Sequence, residues 1–227
     1  MQRRRRHDLY PEEGFLERRL DAAQPGIEPD GASRRRLTPE RWTDGMPGRE
    51  STWEILPGLP VYGAAAEPFS ATGLGMHREG LVVRFEATGG SWVGNFQRGM
   101  SSCDRVLTHP DRVHVLVIAG GAAYVVDPSK HRLEGHFGAD IQEVIEVPEI
   151  RGLIFGNGLW FEAVADSGPL WRSRRISWDG LRKVTVDGTV LRGEAYAPEG
   201  ADGAWHGFEV NVLTGEAKGG SYGGPPM

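Results

Sequence analysis

From residue 80 onward, short apolar stretches alternate with polar, glycine-rich turns, and the spacing inside those stretches is that of strands. VHVLVIA, residues 113–119, is an unbroken β-branched and aliphatic run ahead of Gly120 and Gly121. Such a run predicts a strand covered on both faces. In FEVNV, Phe208, Val210 and Val212 alternate with Glu209 and Asn211, so this strand is predicted to keep one face wet. Ile154 and Phe155 lead into Gly156, Asn157 and Gly158, after which LWFEAVA resumes. Residues 184–186 and 189–191 flank Asp187 and Gly188. That dipeptide predicts a type I′ hairpin, with both central residues at positive φ.

The strands recur as a unit. Aligning the aromatic in the second strand of each unit gives Phe85, Tyr124, Phe161 and Phe208, at steps of 39, 37 and 47 residues. Periods of about 40 residues mark a supersecondary unit that buries its apolar face only by stacking on its neighbours. The longer last step has a local cause: APEGADGA, between Tyr196 and Trp205, has the composition of an inserted loop.

Units such as HPDRVHVLVIAGGAAYVVDPSKHRLEGHF and FEVNVLTGEAKGG resemble blades of quinone-dependent-dehydrogenase-type or WD40-type β-propellers, in which a strand ends in Asp or Asn before a Thr-Gly turn. The resemblance covers about 140 residues, and it implies sheets stacked in series. No Gly-His and Trp-Asp pairing recurs, since Trp178 and Asp179 occur together once. The units number three or four, whereas propellers close with four to eight blades. The expected fold class is therefore mainly β, with antiparallel sheets built from repeated hairpin units. A small or incomplete propeller, a ring completed by association, and a twisted β-sandwich all remain open.

Composition narrows this picture. The 33 glycines and 15 prolines favour tight turns over long helices, and 227 residues suffice for one core of ordinary size. A lone cysteine, Cys103, excludes an intramolecular disulfide framework, and no apolar window is long enough to span a membrane. Residues 1–50 carry 11 of the 26 basic and 10 of the 31 acidic residues, a net charge of +1 against −6 for residues 51–227. Few of them are β-branched. A partly disordered, charged N-terminal arm is expected there, with one short helix after Pro11, ahead of a β domain over residues 51–227. The arginines of RRRRHD lack a following apolar stretch, which argues for a cytoplasmic protein.

The candidate chemistry is sparse. Gly219, Ser221 and Gly223 fit GxSxG, but a nucleophile elbow needs a following helix and a later histidine, which this sequence does not supply. Gly156 and Gly158 begin a dinucleotide-type glycine motif, yet Phe161 takes the third glycine's place. Cys103, Asp104, His109 and His114 fall within twelve residues, and their types suit zinc or a thiol and imidazole pair. WRSRRISWDG, residues 171–180, joins Trp171 and Trp178 with Arg172, Arg174 and Arg175, the mixture of an interface hot spot. If the segment is a strand, Arg172 and Arg174 share one face and Trp171 and Arg175 the other. The plainer alternative is a core tryptophan with arginines capping a sheet edge.

A net charge of −5 disfavours nucleic acid. The sequence thus points to a non-catalytic binding module without a cofactor, of a bacterial immunity-like or accessory kind. A protein partner is expected, and an uncovered sheet edge could support self-association. The rival expectation is a metal-assisted enzyme using the Cys103 to His114 neighbourhood.

Overall fold

The unbroken apolar run and the alternating one belong to different layers of one stack. A computed structural model describes residues 52–72, 78–87, 89–199 and 203–224. The charged N-terminal segment and the helix expected after Pro11 lie outside these residues. The described residues form four four-stranded sheets. The first contains β1 (Thr52–Leu56), β2 (Glu67–Phe69), β3 (Leu81–Ala87) and β4 (Gly90–Phe96), in the order β1-β3-β4-β2. The second runs β5 (Arg105–Thr108), β6 (Val115–Ala119), β7 (Ala122–Asp127), β8 (Arg132–Phe137). The third runs β9 (Glu143–Val147), β10 (Gly152–Gly156), β11 (Phe161–Ala165), β12 (Gly168–Arg172), and the fourth β13 (Leu181–Asp187), β14 (Val190–Ala197), β15 (Ala204–Asn211), β16 (Ala217–Gly219). The protein is mainly β, as its periodicity implies.

Three buried apolar clusters join consecutive sheets. Phe85, Trp92 and Phe96 of the first sheet meet Val115, Val117, Tyr124 and Val126 of the second. The opposite face of the second sheet, through Leu116, Ile118, Val125 and Phe137, meets Leu153, Phe155 and Val164 of the third. Ile154, Phe161 and Ala163, from the other face of the third sheet, meet Leu191, Ala195, Phe208 and Val210 of the fourth. Period-2 alternation therefore sends successive residues of β6 into different cores. This is why the strand reads as uniformly apolar.

The four aligned aromatics occupy equivalent strands. β3, β7, β11 and β15 each run into a hairpin with the last meander strand, β4, β8, β12 or β16. Phe85, Tyr124, Phe161 and Phe208 are all buried on them. The first sheet departs from the pattern, because β2 is added beside β4 in parallel and no strand corresponds to β5.

Two local expectations need correction. The β13–β14 hairpin forms, but Asp187 pairs with Val190, which makes Gly188 and Thr189 the turn residues. Only Gly188 has positive φ, at 54°, so glycine leads the turn and a type I′ geometry is not required. His114 does not lie within a strand. The Asp111 carboxylate accepts the N–H groups of Val113 and His114 at 2.9 and 3.0 Å, holding both in a side-chain-closed turn that delays β6 to Val115.

Each connection between sheets crosses one end of the stack. Residues 97–104 lie against the β6–β7 turn, with Gly99 N–H on Ala119 O at 2.9 Å and Ser101 N–H on Gly120 O at 2.8 Å. Residues 138–142 bond to the same turn and to the next, through Ile141 N–H on Gly121 O and Gln142 N–H on Gly156 O. This end, and the opposite one carrying the β5–β6 and β7–β8 turns, hold the candidate sites.

Candidate functional site

Strand β5 divides the residues between Cys103 and His114. Cys103 and Asp104 precede β5, beside the β6–β7 turn, where Asp104 accepts the Gly120 N–H at 2.8 Å and pairs with Arg98 at 2.7 Å. His109 and His114 follow β5, about 13 Å away at the rise of a strand. The structure thus separates Cys103 and Asp104 from the two histidines. Burial pushes the Cys103 thiol above its ordinary range, leaving it mostly a protonated, weak nucleophile.

The histidines do converge, on a residue the sequence did not single out. Asp111 Oδ1 lies 3.1 Å from His109 Nδ1, and Asp111 Oδ2 lies 2.6 Å from His114 Nδ1. The rings stand 6.2 Å apart and nearly perpendicular, at 81°. Burial alone would raise the Asp111 carboxyl, but His114 and the Val113 and His114 amides outweigh it and hold the group far below the usual carboxylate range. Burial also lowers His109, against the opposing pull of Asp111, and so favours its neutral ring.

A second polar cluster lies where the second and third sheets meet, lined in part by Asp140, Asn157, Trp160 and Glu162. Its cavity volume is about 20 Å³, room for about one water molecule. Arg172, one of the residues singled out in the sequence, belongs here. Its Nε bonds Glu162 at 2.5 Å and its guanidinium lies 5.7 Å from the Trp160 ring centroid. Burial raises the carboxyls of Asp140, Glu143 and Glu162. Such a grouping is what acid–base sites share.

Glu143 provides a test of that burial. Its folded-state pKa is raised, so the folded protein holds the proton more tightly than the unfolded chain, and the resulting stability is lost as pH rises through the folded value. Glu143→Gln is therefore expected to raise the thermal midpoint at pH 8 and to give no gain at pH 4. A gain of equal size at both pH values would rule out the desolvated carboxyl.

The arginine and tryptophan segment is only partly a strand, since β12 ends at Arg172. Trp171 packs against the core between the third and fourth sheets, and its Nε1–H bonds Val212 O at 2.9 Å. Arg174 holds main-chain carbonyls, reaching Gly219 O at 2.6 Å and Arg175 O at 2.9 Å. These two fill structural roles. Arg175 likewise bonds the Ser177 and Trp178 carbonyls, at 2.9 and 2.8 Å, and with Trp178 it also belongs to an aromatic surface.

That surface consists of two pairs joined through Tyr196. Trp178 meets Tyr222 edge-on at 4.8 Å, with the Arg175 guanidinium 4.7 Å from the Tyr222 centroid and 5.9 Å from that of Trp178. Tyr196 meets Trp205 edge-on at 5.3 Å, and the Arg182 guanidinium lies 3.8 Å over the Trp205 ring. The Tyr196 carbonyl accepts both the Trp178 N–H at 3.2 Å and the Ser221 hydroxyl at 2.5 Å. Trp178 and Trp205 remain 46% and 37% exposed. Neither a protein-family model nor a curated protein matches this chain. Tyr196 and Trp205 are register partners across β14 and β15, and they flank the inserted loop. Their pairing could have been read from that hairpin.

Among the described residues, no helix is long and apolar enough to cross a membrane.

Proposed function

We propose that this chain is a non-catalytic binding module whose partner surface is the aromatic and arginine corner built from Arg175, Trp178, Tyr196, Trp205 and Tyr222. The observation that carries the reading is a pair of half-exposed tryptophans, each held by a tyrosine edge and an arginine face. Rigid aromatic side chains lose little entropy on contact, and Trp, Tyr and Arg dominate interface hot spots.

The partner is a protein, and the net −6 of residues 51–227 favours one whose overall charge is positive. In this reading the four sheets serve as blades of an open, propeller-like array, and the module acts in the cytoplasm as an immunity-type or accessory subunit. Its partner is to be found by cross-linking and mass spectrometry, and binding then measured with purified components. Trp178→Ala with Trp205→Ala is expected to weaken binding about 30-fold or more, the scale of a hot-spot loss. Arg172→Ala, outside the corner, should leave it nearly unchanged. An unchanged Kd for the double variant would remove the corner as the binding surface.

A further inference from the structure

The β5–β6 turn carries a donor set that the binding reading leaves unused. Its spacing is H-x-D-x-x-H, from His109 through Asp111 to His114. One ligand-capable atom from each of the three lies within 4.8 Å of the others. The chain reaches this arrangement because Asp111 closes the turn with its own side chain and brings His114 back beside His109. Arg112 sits between them at a φ of 58°, so the turn is drawn tighter than an arginine would choose.

We propose that His109, Asp111 and His114 form a binding site for one first-row divalent cation of the zinc class. Two imidazoles and one carboxylate are a recurrent donor set for such ions, which sit about 2.0–2.2 Å from each donor. Donors around one tetrahedral ion are about 3.3–3.6 Å apart, so the three side chains need to draw together by at most about 1.5 Å.

The surroundings supply support for His114. One of its ring nitrogens forms a second close group with carboxylate oxygens of Asp127 and Glu134, again within 4.8 Å. A ligating histidine is ordinarily oriented by a neighbouring carboxylate, and these two acids, on β7 and β8, lie beside the His114 ring. They are poor first ligands themselves. Asp127 is neutralised by Lys130 at 2.5 Å and Glu134 by Arg132, whereas among the described residues the ion-pair partners of Asp111 are the two histidines.

Zinc ion alone tests the site, titrated calorimetrically into the full chain after chelator treatment. The wild type is expected to bind one equivalent and to gain thermal stability with zinc, as any ligand of the folded state requires. His109→Gln with His114→Gln should abolish that binding. Asp111→Asn should weaken it at least tenfold while keeping the oxygen that closes the turn. Cys103→Ser should bind as the wild type does, because Cys103 lies beyond β5. Binding that persists at full stoichiometry and affinity in the histidine double variant, or no binding by the wild type, overturns the site. If the double variant does not fold, an unchanged affinity in Asp111→Asn has the same force.

Discussion

Phe208→Ala is expected to lower unfolding free energy by about 3–5 kcal/mol, the range for removing a buried aromatic ring. Phe208 is 3% exposed and lies 5.8 Å from Phe161 across the seam between the third and fourth sheets. Beneath it, Gly193 has no side chain to collapse into the vacated space, since a Cβ there would fall 2.7 Å from Phe208 Cζ. The ring and the missing methyl are complementary. Truncating the ring therefore leaves a cavity with little relaxation, which places the expected cost at the upper part of the range. Denaturant unfolding checks this. A loss below about 1 kcal/mol, the size of an ordinary substitution, would show that the seam is not packed by this ring.

Gly121→Ala is expected to cost about 3 kcal/mol, from left-handed backbone strain of about 1–2 kcal/mol together with overpacking of similar size. Its φ is 86°, and an added Cβ would lie 2.5 Å from Ser101 Oγ and 2.8 Å from Ile141 O. Here the connections entering and leaving the second sheet both bond to one turn residue, through Gly121 N–H on Cys103 O and Ile141 N–H on Gly121 O. Neither connection can move away without losing a bond. Gly188→Ala is the control, because its φ is 54° but nothing lies within 4 Å of the added atom. It should show the backbone cost alone, about 1 kcal/mol. Equal losses in the two variants would show that the crossing accommodates a methyl group.

The fold was legible where the apolar period was determined by layers. Residues 115–119 read as uniformly apolar because the second sheet is buried on both faces, and FEVNV alternates because, among the described residues, the fourth sheet packs on one neighbour. The repeat was legible through Phe85, Tyr124, Phe161 and Phe208, which fill the same strand of each meander. The parallel addition of β2 was not, since its three residues carry no pattern and their partner is set by packing.

The candidate sites were harder to read for a different reason. His109 and His114 stood out by type, but Asp111 was overlooked because a turn aspartate ordinarily serves its own backbone. Here it does that and also meets both rings. The converse holds for Arg174 and Trp171, whose residue types suggest an interface while their atoms are occupied by main-chain carbonyls. Sequence reports which groups can form contacts. Only geometry reports which contacts are already made.

The outer face of the fourth sheet is laced with ion pairs. Glu194 is bound by Arg182 at 2.6 Å and Lys183 at 3.0 Å, and Arg192 reaches Glu209 at 2.8 Å and Asp187 at 3.4 Å. A fifth layer laid flat on this face would strip water from those charges and gain little apolar contact in return. Among the described residues, no further sheet is laid on this face. The exposed tryptophans among the described residues are Trp178 and Trp205, and Trp205 shares the outer face with Glu209 and Arg182, so anything seated on the proposed corner must also desolvate the Arg182–Glu194 pair.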